Sequence, residues 1–443
     1  MFEKIMLKPE LTAQNTALVI GGGIAGMQSA LDIANAGFNV VLVEKSPTLG
    51  GHMLKYSEVF PTLDCPQCIG TPKMVEAASH PNIEVMTYSE VSALTKEGDN
   101  FKVTIKKKPR YINTAKCTGC GECALVCPVS VKNEWDLGMS LRKAAYIPFP
   151  QAVPAVYCID KSDNACNECF DCIKACDAKA LRHRDREKFE EREVGAIIVS
   201  TGFDSFDPRE KPELGYGVYP NVITALELER IDQAGGPTEG QIIIDGKVPK
   251  NVVFIQCVGS RDETVQAKYC SRVCCMYTVK QAWYVKHKIP EAKVTVCYID
   301  IRAYGKGYEE FYARVQRDGV IYKRGLACEI YKKGGKLIVK AEDTLLSEIY
   351  EEEADLVVLA TGLRPSHGME ELAGILGIPI ADDNYIAEAH IKTGAVESLT
   401  PGIFIAGCCQ GPKDIPDSVA QASAAAAMAC VTLAKKSPAG VTP

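Results

Sequence analysis

TALVIGGGIAGMQSALDIANAGFNVVLVEK, residues 16–45, decides the fold of this chain. Residues 17–20 are uniformly apolar and read as a short buried strand. Gly21-Gly22-Gly23-Ile24-Ala25-Gly26 follows at once and opens an amphipathic helix that runs to about Ala36. A second strand, residues 39–43, ends at Glu44, with Lys45 next. This is the β-α-β dinucleotide fingerprint with its surroundings complete. Gly21 allows the tight turn, Gly23 lets backbone approach a pyrophosphate, and Gly26 lets helix and strand pack closely. The helix N-terminus at Ile24 and Ala25 faces the phosphates, and Glu44 can accept from ribose hydroxyls. An acid at that strand end disfavours a 2′-phosphate, so FAD or NAD fits better than NADP.

Further along, Gly50-Gly51 follows the second strand. In flavin disulfide-reductase-like proteins such a pair continues the FAD pocket, and by that similarity the nucleotide is FAD. Two apolar stretches, VGAIIVSTG (194–202) and ADLVVLATG (354–362), read as buried strands ending at Thr201-Gly202 and Thr361-Gly362. They are expected to mark where the chain leaves and re-enters the flavin domain. GIFIAG (402–407) is a further strand, followed by a loop and a small-residue helix over about 417–434. In this superfamily that junction meets the ribityl chain and isoalloxazine, which brings in Gly407, Gln410, Ile415 and Ser418.

Between these pieces lie two runs of four cysteines: Cys117, Cys120, Cys123 and Cys127, then Cys166, Cys169, Cys172 and Cys176. Both read C-x2-C-x2-C-x3-C, the spacing of a bacterial two-cluster ferredoxin, in which the fourth cysteine ligates the other cluster. Cys117, Cys120, Cys123 and Cys176 are expected on one 4Fe–4S cluster, and Cys166, Cys169, Cys172 and Cys127 on the second, each fourth cysteine starting a helix. Pro128 follows the first run, but Asp177 follows the second. Two structural zinc knuckles are the competing reading.

A second Rossmann-type unit begins near Lys250, with strands over 251–258 and 293–298. Its glycine turn is damaged, reading Gln256-Cys257-Val258-Gly259-Ser260-Arg261, so a pyrophosphate loses its close backbone approach. Cys257, Cys270, Cys274 and Cys275 form a C-x12-C-x3-C-C run there. Four thiolates could hold a 4Fe–4S cluster or zinc, or be buried apolar cysteines without metal. Cys65-Pro66-Gln67-Cys68 reads as a redox dithiol near the flavin, half of a metal site, or a packing motif. Cys158, Cys297, Cys328 and Cys430 read as buried hydrophobes. Cys408 and Cys409 either tune the flavin surroundings or fill them.

FPTLDCPQCIGTPKM (60–74), CTGCGECALVCP (117–128), YIPFPQAVP (146–154), YCSRVCCMYTVK (269–280) and AGCCQGPKDIPDSVAQASAAAA (406–427) together resemble HdrA, the iron–sulfur flavoprotein of heterodisulfide reductase in methanogens and other anaerobes. The resemblance spans nearly the whole chain. It implies an α/β, thioredoxin-reductase-like double Rossmann-type FAD fold with an inserted two-cluster ferredoxin domain. It also implies a third 4Fe–4S cluster at Cys257, Cys270, Cys274 and Cys275. Lys280 falls where the family places a lysine beside the flavin N5 edge, a catalytic position where a cation favours reduced, anionic flavin. The chain starts at the flavin strand and stops after the last helix, which reads as a short form. Implied partners are B- and C-like subunits, an electron-input subunit (hydrogenase-, formate- or NADH-linked) and ferredoxin, with a homodimer inside the larger complex.

The expected domains are a first flavin segment (1–110), the ferredoxin insert (111–190), a flavin return and linker (191–245), the second Rossmann-like unit (246–350) and a closing flavin segment (351–443). With 443 residues, 47% of them hydrophobic and 24% charged, the composition is that of a folded soluble protein. A net charge of −6 gives no support to nucleic-acid binding. No apolar run approaches the ~20 residues of a membrane span, and Met1-Phe2-Glu3-Lys4-Ile5 shows no signal-peptide core. Twenty cysteines in a cytoplasmic chain point to metal and redox sites in an anaerobic cell. The sequence thus reads as the FAD and iron–sulfur component of an electron-bifurcating complex. A stand-alone NAD(P)H-dependent iron–sulfur flavoenzyme and a non-catalytic scaffold are the rivals.

Overall fold

The fingerprint strand Thr16–Ile20 is fully buried and lies at the centre of a five-stranded parallel sheet. The order is Ile403–Ile405, Ala196–Val199, Thr16–Ile20, Asn39–Glu44, Ile83–Thr87. Val, Ile and Leu fill these strands because both faces of the sheet are covered, one by helices and the other by an antiparallel ribbon with the short helix Met369–Leu376. The computed structural model describes residues 12–436; the N-terminal pentapeptide lies outside them. An antiparallel ribbon, Lys188–Val194, Asn100–Lys107 and Ser89–Glu97, flanks this sheet.

A second unit repeats the plan. Its parallel sheet runs Val222–Thr224, Leu356–Thr361, Asn251–Val258, Lys293–Tyr298, Ile321–Arg324. An antiparallel ribbon of Ala327–Lys333, Lys336–Asp343 and Glu348–Ala354 accompanies it. The two units are joined by a small pairing of Phe203–Ser205 with Leu363–Pro365. The double Rossmann-type architecture is thus present, with one correction to the expected layout. Leu356–Thr361 and Val222–Thr224 belong to the second sheet, not to the flavin sheet, because Leu356–Thr361 pairs in register with Val252–Ile255. The Thr-Gly ending looks the same in both sheets, so sequence alone could not separate them.

The cysteine insert leaves the flavin unit after Asn100–Lys107 and returns through Lys188–Val194, and these two strands are paired neighbours, Lys107 opposite Lys188. It docks back onto its host. Arg110, 6% exposed, donates to the Pro47 carbonyl (2.5 Å), the Thr87 hydroxyl (2.6 Å) and Cys158 Sγ (3.0 Å). Arg230, 1% exposed, pairs with Asp136 of the insert (2.9 Å). Trp135 stacks on Phe149, which joins the core beneath the flavin sheet.

The last helix, Ile415–Lys436, is long and apolar enough to cross a membrane, contrary to the sequence expectation. Alanines at 422, 425, 426 and 429 with Leu433 make one buried face, and the Ser29 hydroxyl of the first helix, Ile24–Asn35, donates to the Ala422 carbonyl. Small side chains let the two helices approach closely, and that packing explains the apolar run.

Candidate flavin cavity and cysteine centres

At the carboxyl end of Thr16–Ile20 the strand order reverses, the place where open α/β sheets bind ligands. A cavity of about 1030 Å³ opens there, at the large end of the usual ~300–1,000 Å³ range for ligand sites. The local geometry suits a dinucleotide. Gly21 has φ +108°, and the Gly26 position has no room for a side chain, since a Cβ there would lie 1.8 Å from the Gly21 carbonyl oxygen. A Cβ at Gly23 would meet only Gly51 Cα, 4.0 Å away, so that backbone is open to a ligand. Buried Glu44 accepts from Gly22 N (2.6 Å) and Ser46 N (2.7 Å), which fixes its carboxylate at the rim with lone pairs to spare. Thr201 Oγ1 is buried on the cavity side without a hydrogen-bond partner.

Gly21, Gly23, Ile24, Ala25, Glu44 and Lys45 line the cavity, as do Gly50, Gly51, Thr201 and Gly202. Thr361 of the second unit, Gly407 of the turn after Ile403–Ile405, and Ile415 and Ser418 of the last helix complete it. Three expected residues stand behind the wall instead. Gly26 supports Gly21, Gly362 packs against Gly259 and Ser271, and Gln410 is turned to Glu388 and Lys413.

Sequence reasoning missed other portions of the wall. His52 stacks on Phe203 at 4.6 Å, and burial lowers its pKa to about 4, so the ring is neutral at physiological pH. Trp135 and Tyr146 reach the cavity from the insert, and Tyr277 from the helix Cys274–Lys288. Burial pushes the Tyr277 hydroxyl far up, and it donates to the Thr361 carbonyl (2.7 Å). An isolated aromatic residue carries no sequence signal for such a role.

Lys280 lines the cavity, but its ammonium is engaged. It pairs with Glu229 (2.7 Å), donates to the Glu58 carbonyl (2.6 Å) and lies over the Tyr56 and Tyr284 rings. Glu229 in turn accepts from Ser57 N and Gln281. The charge the sequence reading assigned to the flavin is therefore balanced by a carboxylate 51 residues away in sequence.

In the insert, Cys127 lines a small cavity with Cys166, Cys169 and Cys172, so the fourth cysteine of the first run meets the first three of the second. Cys123 lies among Cys117, Cys120 and Cys172, and burial raises its thiol to about 12. Cys117, Cys127, Cys166 and Cys176 pack against the same core as Cys123 and Cys172. The helices differ in position from the expectation. One-turn helices Glu122–Leu125 and Asp171–Ala175 contain the third cysteines, and Cys127 and Cys176 follow them. Among the described residues no three His, Cys, Asp or Glu side chains gather tightly enough to hold a single metal ion.

Cys257 sits at the switch point of the second sheet, at φ +60°, beside a break in strand register. Cys275, Cys270 and Arg261 surround it, and burial pushes its thiol to about 12. Cys274 and Cys275 open their helix in different directions, Cys274 towards the Thr361 carbonyl and Cys275 towards Gln256 and the Asp300 carbonyl. The four thiols occupy the place a nucleotide would take. Phe206 closes it further: a Cβ on Gly259 would lie 2.1 Å from that ring. Buried neutral thiols would become ligands only on releasing their protons to solvent, a loss that the positive charge of a cluster core would favour.

Of the remaining cysteines, Cys65 caps the helix Pro66–Ser79 by accepting from Cys68 N (3.3 Å), and Cys68 is exposed. Neither lines the flavin cavity. Cys408 lines it, whereas Cys409 is fully buried and donates to the Val199 carbonyl. Cys158 and Cys297 are buried and Cys430 partly so, but Cys328 is exposed on its ribbon, where one strand face meets solvent.

A family model described as an FAD binding domain matches residues 16–58, and one described as a 4Fe-4S binding domain matches residues 110–132. The thioredoxin reductase of Lactococcus lactis superposes with a TM-score of 0.53 at 16% identity, covering 95% of this chain and 99% of that one; the likeness is one of fold. Fold and motifs define an iron–sulfur flavoprotein whose cofactors are FAD and 4Fe–4S clusters. The chain is 50% identical over 430 residues to the HdrA component of the H(2):CoB-CoM heterodisulfide,ferredoxin reductase of Methanothermobacter thermautotrophicus, covering 96% of this chain and 65% of that protein. It is 51% identical over 425 residues to the corresponding iron-sulfur component of the CoB--CoM heterodisulfide reductase of Methanocaldococcus jannaschii, covering 95% and 64%. The chain is similar over nearly its whole length to the HdrA components of heterodisulfide reductases, and spans just under two thirds of the length of these relatives.

Proposed function

We propose that the chain is an oxidoreductase component, an FAD- and 4Fe–4S-dependent electron-transfer subunit of a heterodisulfide-reductase-like complex. In this reading electron pairs are divided at FAD between partner subunits and a low-potential ferredoxin route. The observation that carries it is the composition of the cavity wall. The glycine loop of the flavin sheet, Trp135 and Tyr146 of the insert, and Tyr277 beside Cys274 all face one space. The cysteine insert and the helix that begins at Cys274 thus both contribute side chains to the same cavity.

FAD supplies the interchange between two-electron and one-electron chemistry. The chain's residues do the rest. The loop from Gly21 and the end of the first helix hold the phosphates, Glu44 holds the ribose, and Trp135, Tyr146 and Tyr277 exclude water. Lys280, held by Glu229, keeps a hydrogen-bond donor at the wall. We assign three clusters: two crossed ones in the insert and one at Cys257, Cys270, Cys274 and Cys275. The name of the Methanothermobacter thermautotrophicus relative joins H2, a heterodisulfide and ferredoxin, and that of the Methanocaldococcus jannaschii relative names the heterodisulfide. These names support partner subunits and ferredoxin as the surroundings of the chain; B- and C-like subunits, an electron-input subunit, a homodimer within the complex and a cytoplasmic location complete the proposal. Phe206, Arg261 and the thiols around Cys257 argue against a surviving NAD(P)H site, and so against the stand-alone reading.

Anaerobic purification of the native complex tests this. About 12 iron atoms and one flavin per chain are expected. Flavin with no more than a trace of iron and sulfide would defeat the proposal. Replacing Cys127 by alanine should remove about four iron atoms, those held with Cys166, Cys169 and Cys172. Iron content that stays at the wild-type value would show that Cys127 ligates neither cluster.

A further inference from the structure

We propose that Lys413 supplies a buried, uncompensated positive charge that raises the electron affinity of the flavin cavity. The proposal rests on the assignment of that cavity to FAD and adds a residue to it. Lys280 and Lys413 both line the cavity with buried side chains, 2% and 8% exposed. Their surroundings differ in kind. Lys280 is ion-paired with Glu229. Lys413 makes no ion pair among the described residues; its ammonium donates to the Gly407 carbonyl (2.8 Å), the Gly411 carbonyl (2.8 Å) and Gln410 Oε1 (3.0 Å).

The nearest acids are committed elsewhere. Asp414 accepts from the Tyr308 hydroxyl (2.6 Å) and from Asp417 N (2.9 Å), and Asp417 pairs with Arg272 (2.8 Å). The thiols beside Lys413 do not neutralise it, because burial raises Cys408 and holds Cys409 at about 11. Three acceptors meet the three donors of an ammonium; a neutral amine has only two N–H groups. Burial lowers the Lys413 ammonium from the ordinary lysine value, and the three acceptors oppose the loss of its proton; a charge held at the wall by neutral groups acts where low polarity magnifies its effect on any change of charge in the cavity. Electrons added to a bound flavin are stabilised by it, and electrons removed are not. The Lys280–Glu229 pair has no net charge and exerts a smaller field.

The test uses the flavin-loaded full chain in its native complex, equilibrated anaerobically with redox dyes and read by the flavin absorption band. Lys413→Gln keeps hydrogen bonding without charge, and Lys413→Arg keeps charge. At a dye ratio that leaves the wild type half reduced, Lys413→Gln should lower the ratio of reduced to oxidised flavin at least tenfold, ~30 mV for a two-electron couple. Lys413→Arg should stay within about threefold of wild type, by the same scale. A Gln variant with full flavin and an unchanged ratio would overturn the proposal. So would an Arg variant that shifts as far as Gln, or a Gln variant that alone loses its flavin, since Lys413 would then be a loop clamp. Wild-type protein without flavin would overturn the assignment of the cavity itself.

Discussion

Gly26→Ala should yield a chain that retains almost no flavin and unfolds more easily. The new Cβ would sit 1.8 Å from the Gly21 carbonyl oxygen and 2.7 Å from Ser200 Oγ. The first contact is with backbone, and that backbone is tied on both sides: Gly21 N donates to the Val43 carbonyl, and the Gly21 carbonyl accepts from Ser200 Oγ. The clash can be relieved only by moving the first helix off the sheet, at a cost of ~3 kcal/mol or more. The same movement displaces the turn that meets the phosphates, and ~3 kcal/mol lost in binding weakens flavin roughly a hundredfold. Gly23→Ala is the contrasting case. Its backbone is extended (φ −75°, ψ −173°) and its Cβ would face open cavity. Stability should be near wild type while flavin is lost. Flavin content after desalting and thermal unfolding of the apo chain separate the two. Equal effects from both substitutions would show that the close packing of Gly26 is not what holds the turn.

Asp136→Ala should destabilise the docked insert by about 3–5 kcal/mol, because it strands the Arg230 guanidinium. Arg230 is 1% exposed, and Asp136 is the carboxylate that it pairs with. Its other partners, the Lys55 carbonyl and Gln233, are neutral. Arg230→Met should cost less, about 1–3 kcal/mol. Asp136 would keep Asn133 (2.9 Å) and Ser140 (2.5 Å) as donors, and an apolar residue tolerates the site. The double replacement should fall well short of the sum, the mark of a direct pair. Trp135 lies beside the pair, with the guanidinium 5.8 Å from its ring, and the chain has two tryptophans. A Trp283→Phe background therefore makes urea unfolding followed by fluorescence a local report on this docking. Equal losses from both single variants would contradict the asymmetry.

How far the sequence could be read depended on how local each determinant is. Gly21, Gly23 and Gly26 act within one turn of chain, so their roles follow from spacing. The eight insert cysteines are also periodic, and the approach of Cys127 to Cys166, Cys169 and Cys172 follows from the duplicated run. The partition of the two sheets was not legible, since VGAIIVSTG and ADLVVLATG carry the same apolar signature and only pairing distinguishes them. Charges were the least legible feature. Lys280 could be placed at the wall by resemblance, but nothing near it in sequence announces Glu229. Lys413 lies in a polar loop, GPKD, that reads as solvated; it is buried because the 3-10 turn at Gly407–Cys409 and the start of the last helix fold over it. Gly362 and Gln410 were misplaced by one layer for the same reason: a residue beside a lining residue in sequence can face the other way.

The stalk on which the insert hangs has a consequence for its origin. Lys107 and Lys188 are opposite one another in an antiparallel pair, where Cα atoms are about 4.5–5.5 Å apart. That is the gap a tight hairpin turn spans. The host ribbon is therefore geometrically complete as a simple hairpin, and the whole cysteine module replaces what would otherwise be a two-residue turn. Such a module can be acquired, lost or exchanged in a single genetic event without disturbing the register of the ribbon. What ties it to this host beyond the stalk are the contacts of Arg110 and Asp136.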